Sequence, residues 1–392
     1  MSAPHGRDST DLPHAPGSSC GREALARAYL ARVVEGPHPA VGALLGTIGP
    51  VELAERIRAR AGLPAELLRA TEARYAACDP AADLREASRC GFRLVTPGDD
   101  EWPEDAMAAF APAEGQPGAG APHALWVRGA PLAEVLEDAV AMVGTRAATA
   151  YGRRVAGDLS AGVAAEGLTV VSGGALGIDA ACHRGALSAC GRSVAVMACG
   201  AGVTYPAAHE ELFGRLDAVV TEYPPGMRPA RHRFLTRNRL VAALTGATVL
   251  VEAGWRSGAR NTVHWANLYH RPVGAVPGPV SSASSTGAHA CIRDGSATLV
   301  SSVREVLALC RPIGEVDEEE QLELDWAADA LQSLPRNELR VYDAVPPAGA
   351  EGLTAGPIAV ECGAPLALTV HLLTALEKRG LVRRKGSRWS RT

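Results

Sequence analysis

The sequence predicts an α/β protein: a doubly wound parallel sheet, preceded by helices and followed by a small helix-and-hairpin domain. Three observations carry this. Between residues 138 and 300, short apolar runs alternate with helix-length segments, as strands and crossover helices do in a parallel sheet. Two of these runs end in glycine turns, Gly144-Thr145-Arg146 and Ser172-Gly173-Gly174-Ala175-Leu176-Gly177, and each turn opens a helix. Charge is also partitioned. The net −4 conceals seven Arg against two Glu in residues 221–260, eight acids and no base in 313–335, and seven bases against one acid in 377–392. Basic blocks of this kind fit an anionic partner and the acidic one a solvated linker, although most charge runs are plain solvated faces.

In chain order, residues 1–20 are polar, carry several Pro and Gly, and are expected to be disordered. Residues 21–90 have helical periodicity and form a helical domain of SAM or helix-hairpin-helix type. Within it, 44–53 reads helix, glycine turn, helix; a purely structural turn is favoured over one whose amides approach a nucleic-acid backbone. Residues 91–311 form the main domain, with strands near 93–96 and 125–128, then at 138–143, 168–172, 193–198, 217–221, 247–252, 272–276 and 297–300. Residues 312–335 are the acidic linker. Residues 336–392 read as three helices and a basic hairpin, the outline of a winged helix; such domains bind DNA in some proteins and protein partners in others.

Several chemistries are excluded. Lysine occurs only at Lys378 and Lys385, so the main domain has none for a Walker-type phosphate loop, a Schiff base or a Ser-Lys pair. A dinucleotide site needs an acidic residue closing the strand after its glycine fingerprint, and residues 168–171 and 193–198 contain neither Asp nor Glu. No cofactor is therefore expected. Nine cysteines include no C-x-x-C pair and no Cys/His cluster of zinc spacing; no metal site is expected, and the odd count suits reduced thiols in the cytoplasm. No apolar stretch reaches the roughly 18 residues of a membrane span, and no apolar signal core opens the chain.

Several motifs follow one another along the main domain. They are Val143-Gly144-Thr145-Arg146 with Tyr151-Gly152, Val171-Ser172-Gly173-Gly174 with Gly177-Ile178-Asp179 and His183, and Gly200-x-Gly202 with Tyr205-Pro206. Next come Glu222-Tyr223-Pro224-Pro225-Gly226, Arg237-Asn238-Arg239, Val251-Glu252-Ala253 with Ser257-Gly258, and Pro277-Gly278. In this order they resemble the DNA-processing protein A family, DprA or Smf, over roughly half the chain. The resemblance implies an extended Rossmann-like domain that binds single-stranded DNA, forms homodimers and helps to load the RecA recombinase during natural transformation or related recombination, without catalysis of its own. It also implies an N-terminal helical domain and a C-terminal winged helix. The chain departs from the family pattern at Phe234-Leu235, where Phe-Pro is common, and at Ala259-Arg260-Asn261, which interrupts a more apolar stretch.

With the resemblance, a DNA-binding site can be laid out. Backbone N–H groups at the two helix starts are expected to face a shared crevice and hold phosphate oxygens. Gly144 and Thr145 form the tight turn that leaves Arg146 at the lip, where a guanidinium can fork onto phosphate and stack on an unpaired base; the alternative is an Arg146 paired with Asp179 or Glu222. Ser172, Gly173, Gly174 and Gly177 serve close backbone approach, a strained turn, or both. Tyr205 is preferred for stacking over Trp255 and Tyr269. Arg237, Asn238 and Arg239, with Ser257 and Gly258, complete the expected set. Asp179 is read as a cap or an orienter of arginine, and Glu222 and Glu252 as structural. If Arg228, Arg231, Arg233, Arg237 and Arg239 neutralise ~5 phosphates, log affinity should fall against log salt with a slope of about −3 to −4, unless the acidic linker pairs with them instead.

Two other classes of function compete. A nucleotide-cleaving hydrolase of the LOG or lysine-decarboxylase-like type has a similar core, but its Pro-Gly-Gly-x-Gly-Thr segment is missing, and Glu252 has no second positioned group to act with as a base. A protein-binding adaptor would use the winged helix and a dimer surface, yet would have no need of arginines around a glycine crevice.

Overall fold

A computed structural model describes residues 19–113, 115–311 and 334–392, so the polar start and nearly all of the acidic segment 312–335 lie outside the described residues. The chain divides into two compact units, residues 1–316 and 317–392.

A nine-stranded sheet organises the first unit. Its strands are β1 (Arg93–Val95), β2 (Leu125–Gly129), β3 (Ala139–Gly144), β4 (Thr169–Ser172), β5 (Ser193–Val196), β6 (Ala218–Thr221), β7 (Ala247–Glu252), β8 (Val273–Ala275) and β9 (Thr298–Leu299). They lie side by side in the order β1-β2-β6-β5-β4-β3-β7-β8-β9. From β6 to β9 all neighbours are parallel, and β2 then β1 extend the β6 edge antiparallel. Each strand lies within a few residues of where the apolar runs place it.

Helices cover both faces, so β4 to β7 are buried at every residue, and β3 at all but Gly144. Strands in that setting are written as continuous apolar runs rather than as polar–apolar alternation. The pleat still sorts them. Val140 and Met142 pack with Leu159, Val163 and Ile178 from the helices Ala150–Ala165 and Ile178–Ser188. Ala141 and Val143 pack with Leu240, Val241 and Val263 from the helices Arg231–Ala243 and Ala259–Leu268.

The chain steps from β3 outward through β4, β5 and β6, then returns to place β7, β8 and β9 on the other side of β3. A reversal of this kind leaves a crevice outside the carboxyl ends of the strands on either side of it.

The helices Ser19–Val33, Pro39–Ala59, Ala65–Thr71 and Pro80–Arg89 belong to the same compact unit. They have a core of their own around Tyr29, Leu30, Leu53 and Ile57, and Ala28 and Ala87 join Phe92 and Trp126 of the sheet domain. The segment 44–53 is broken at Gly49, whose φ of 77° is a left-handed value glycine tolerates, ahead of Pro50. Leu44, Leu45 and Ile48 lean on the helical core, which gives this turn a packing role.

The second unit holds the helices Arg336–Ala344, Ala355–Cys362 and Leu366–Lys378, then a hairpin of β10 (Val382–Lys385) and β11 (Arg388–Arg391). Val341, Ile358, Leu373, Leu376 and Trp389 form its core. Among the described residues no single helix is long and apolar enough to cross a membrane.

Candidate functional site

At the carboxyl ends of β3, β4 and β7, where the strand order reverses, a cavity of about 710 Å³ opens. Four loops and one helix wall it: Gly144 to Ala147 after β3, Gly173 and Ala175 after β4, Tyr205 after β5, Arg256 to Ala259 after β7, and the first turns of the helix Arg231–Ala243.

The glycines let these loops touch. A Cβ on Gly144 would sit 2.5 Å from Ile178 Cγ1 and 2.8 Å from the Glu252 carbonyl oxygen, so β3 can end against both its neighbours only without a side chain there. Gly177 has a φ of 85°, and a Cβ on it would meet the Thr145 and Arg146 carbonyls at 2.4 and 2.5 Å. The Ile178 N–H then donates to the Thr145 carbonyl at 3.2 Å, tying the two loops together.

One expectation is narrowed. Several of the amides at the two helix starts already have acceptors within the protein. Glu252 accepts from the N–H and the Oγ1 hydroxyl of Thr149 at 2.9 and 2.7 Å, and Thr149 in turn accepts from the Gly152 N–H. A carboxylate of the protein therefore already occupies the positive end of the Ala150–Ala165 helix. At the second loop, Asp179 accepts from the Ala175 N–H at 3.2 Å. Burial pushes the Asp179 carboxyl above the usual carboxylate range, against the pull of Arg237 and Arg146.

What the crevice offers instead is guanidinium groups and aromatic faces. Arg146 is exposed at the lip with its guanidinium carbon 4.3 Å from the centre of the Phe234 ring, and Phe234 lies 5.6 Å from the Tyr205 ring. Arg231 and Arg256 are also exposed along the rim. Arg237 forms the floor. It is 4 % exposed, donates to the Val196 carbonyl at 2.6 Å, and lies so close to Gly173 that a Cβ there would be 2.0 Å from its Nη1. Its Nε has no partner.

Of the expected binding residues, Gly144, Thr145, Arg146, Gly173, Tyr205, Arg237, Asn238, Ser257 and Gly258 line this one cavity, and Asp179 joins them. Four do not. Ser172 is buried and donates to the Met142 carbonyl; Gly174 packs under Phe213 and its carbonyl meets His209; Gly177 is spent on the loop contact just described. Arg239 is the clearest correction. It is fully buried, 2.6 Å from Glu222 in an ion pair and against Phe110, so it is a strut of the interior and not a DNA ligand. The pairing foreseen for Arg146 with Glu222 is thus made by Arg239. Arg233, expected among the phosphate cations, is held by Glu35 at 2.6 Å.

Phe234 and Arg256 join the site without having been expected in it, and Arg231, expected among the phosphate cations, keeps that place at the rim. A signal for Phe234 exists in the sequence: 231, 234, 235, 238 and 241 recur at helical spacing and form the stripe that faces the crevice, while Arg239 falls off it.

Fold and site together define an extended Rossmann-like protein with an arginine-rimmed, aromatic-walled crevice at its topological switch point. The sequence model of the family described as DNA recombination-mediator protein A matches residues 93–311, and the chain belongs to that family. It is 48% identical over 372 residues to the putative DNA processing protein DprA of Mycobacterium tuberculosis, covering 93% of this chain and 94% of that one. It is 35% identical over 216 residues to protein Smf of Escherichia coli, covering 54% of each. Among solved structures, DNA processing protein A from Streptococcus pneumoniae superposes with a TM-score of 0.61 at 29% identity, over 74% of this chain and 98% of that chain.

Proposed function

We propose that this recombination mediator binds single-stranded DNA in the switch-point crevice, with little sequence preference and no turnover. The observation that carries the reading is the run of Arg146, Phe234 and Tyr205 along one wall of the cavity: a cation for phosphate beside two ring faces for unpaired bases. Duplex DNA, whose bases are stacked within the helix, cannot use those faces. A binding role rather than a hydrolytic one is supported by Glu252, the carboxylate a LOG-type enzyme would need as base; it is buried and committed to capping a helix.

The expected salt dependence changes with the structure. With Arg233 and Arg239 held by carboxylates and Arg237 in the floor, the rim cations are Arg146, Arg231 and Arg256, and ~3 neutralised phosphates give a slope of about −2 for single strands. Fluorescence anisotropy with single- and double-stranded oligonucleotides across a salt series tests this. Wild type should prefer the single strand, and Arg146→Ala should bind it at least tenfold more weakly with its stability unchanged. Equal affinity of the two proteins would remove Arg146 from the site; no binding by wild type would remove the function.

The remaining parts of the reading follow from family membership: RecA as the partner that receives the coated strand, a homodimer as the working form, cytoplasmic location, and a winged-helix role for the second unit in recruiting DNA or protein. The domain boundaries at 21–90, 91–311 and 336–392 belong to the same proposal. Co-elution of RecA with the DNA-bound protein is the corresponding test for the partner.

A further inference from the structure

We infer that Trp255 and Arg260 form a second stacking station, which takes a nucleobase of the single strand as it leaves the crevice over the β7 loop; this rests on the crevice binding unpaired DNA. Trp255 is 59 % exposed. A solitary exposed apolar residue needs no explanation, but this one is organised. The Arg260 guanidinium carbon stands 4.8 Å from the centre of its ring, and Arg260 Nη1 donates to the Trp255 carbonyl at 3.0 Å, so ring and cation are fixed to one another. The next residues, Arg256, Ser257 and Gly258, line the crevice, which puts the ring one residue outside its lip.

The device repeats the one already described. At Phe234 a guanidinium lies over an aromatic ring at 4.3 Å on the wall made by the Arg231–Ala243 helix; at Trp255 the same pairing stands just outside the wall made by the β7 loop. A chain with alternating anionic and aromatic groups can use both, and a nucleic-acid strand is such a chain. Because every base has a π face, this station is sequence-tolerant like the crevice. A protein loop seeking an apolar anchor would find the ring beside the Arg260 guanidinium, with Arg256 next along the chain at the crevice rim, a setting that favours a polyanion instead.

The test uses the full chain and dye-labelled oligo-dT of graded length, read by anisotropy. Trp255→Ala should weaken the longest oligonucleotide by roughly thirtyfold, the mid-range for loss of one base–aromatic stack, and leave the shortest that still binds unchanged. Trp255→Phe should restore most of the loss, and Trp255→Leu, with bulk but no ring, should not. Loss that is equal at all lengths, no loss at any length, or rescue by Leu as good as by Phe would overturn the assignment. If Arg146→Ala abolishes binding while Trp255→Ala is silent, the second station falls alone; if wild type binds nothing, the crevice reading falls first and takes this one with it.

Discussion

Two regions meet on the helix Arg231–Ala243, the crevice wall along one stripe and the sheet-facing interior along the other, and arginines serve both. Arg231 is exposed at the rim, Arg233 is gripped by Glu35 from the N-terminal helices, Arg237 is bonded to a strand carbonyl in the floor, and Arg239 is sealed inside against Glu222. Helical phase and the partner each one meets divide four like residues into a rim cation, a domain tie, a floor and an internal strut. A count of these four basic residues therefore overstates the charge at the crevice rim by three.

The comparison can be broken most forcefully at its buried end. Arg239→Ala leaves Glu222 inside without its counter-ion and should cost about 3–5 kcal/mol in urea denaturation, whereas replacing both partners by apolar residues should recover much of it. A folded Arg239→Ala protein of wild-type stability that had lost only DNA affinity would return Arg239 to the crevice. Next in size is Gly173→Ala. The new methyl would crowd Arg237, which cannot retreat without breaking its bond to Val196, and about 1–3 kcal/mol should be lost; a neutral outcome would mean that the floor is soft.

The tie between the helical segment and the crevice wall gives the smallest effect and a pH signature. Burial pushes the Glu35 carboxyl up, but hydrogen bonds from Arg233 and His232 outweigh it and hold the group down at about 2. A folded-state value below the ordinary 4.5 means that Glu35 stabilises the protein above that pH, and that this contribution drains away as pH falls from about 4.5 towards 2. Glu35→Gln should accordingly lower the melting temperature at neutral pH, with the gap to wild type closing over that acid range. A gap that did not depend on pH would separate Glu35 from the wall.

Much of this architecture can be read before any coordinates exist. Strands covered on both faces, such as 139–144 and 247–252, are written as largely apolar runs, broken in the second only by Thr248 and the closing Glu252, and each glycine turn marks where a strand hands over to a helix. The crevice was legible as well, since Gly144, Arg146, Gly173 and Ser257 lie at the ends of strands that the reversed order brings together. Other features depend on tertiary partners. Arg239 and Glu222 are separated by 17 positions, and only the folded chain shows that they meet away from water. The amides of the glycine loops looked available because their acceptors, Glu252 and Asp179, arrive from a distant strand or from within the loop's own fold. Phe234 enters the sequence reading only beside Leu235, the residue that departs from the family's Phe-Pro, because its own role comes from lying three positions along the helix from Arg231 and from contact with Arg146.

The Thr149–Glu252 contact has one more consequence. It joins the end of β7 to the first turn of the helix after β3, spanning the place where the two halves of the sheet part company. To spread the jaws there, the protein would have to uncap that helix, at about 1 kcal/mol or more, and strand a carboxylate that is now fully engaged. The aperture is in effect braced from within, so a thread entering it must conform to a gauge set before it arrives.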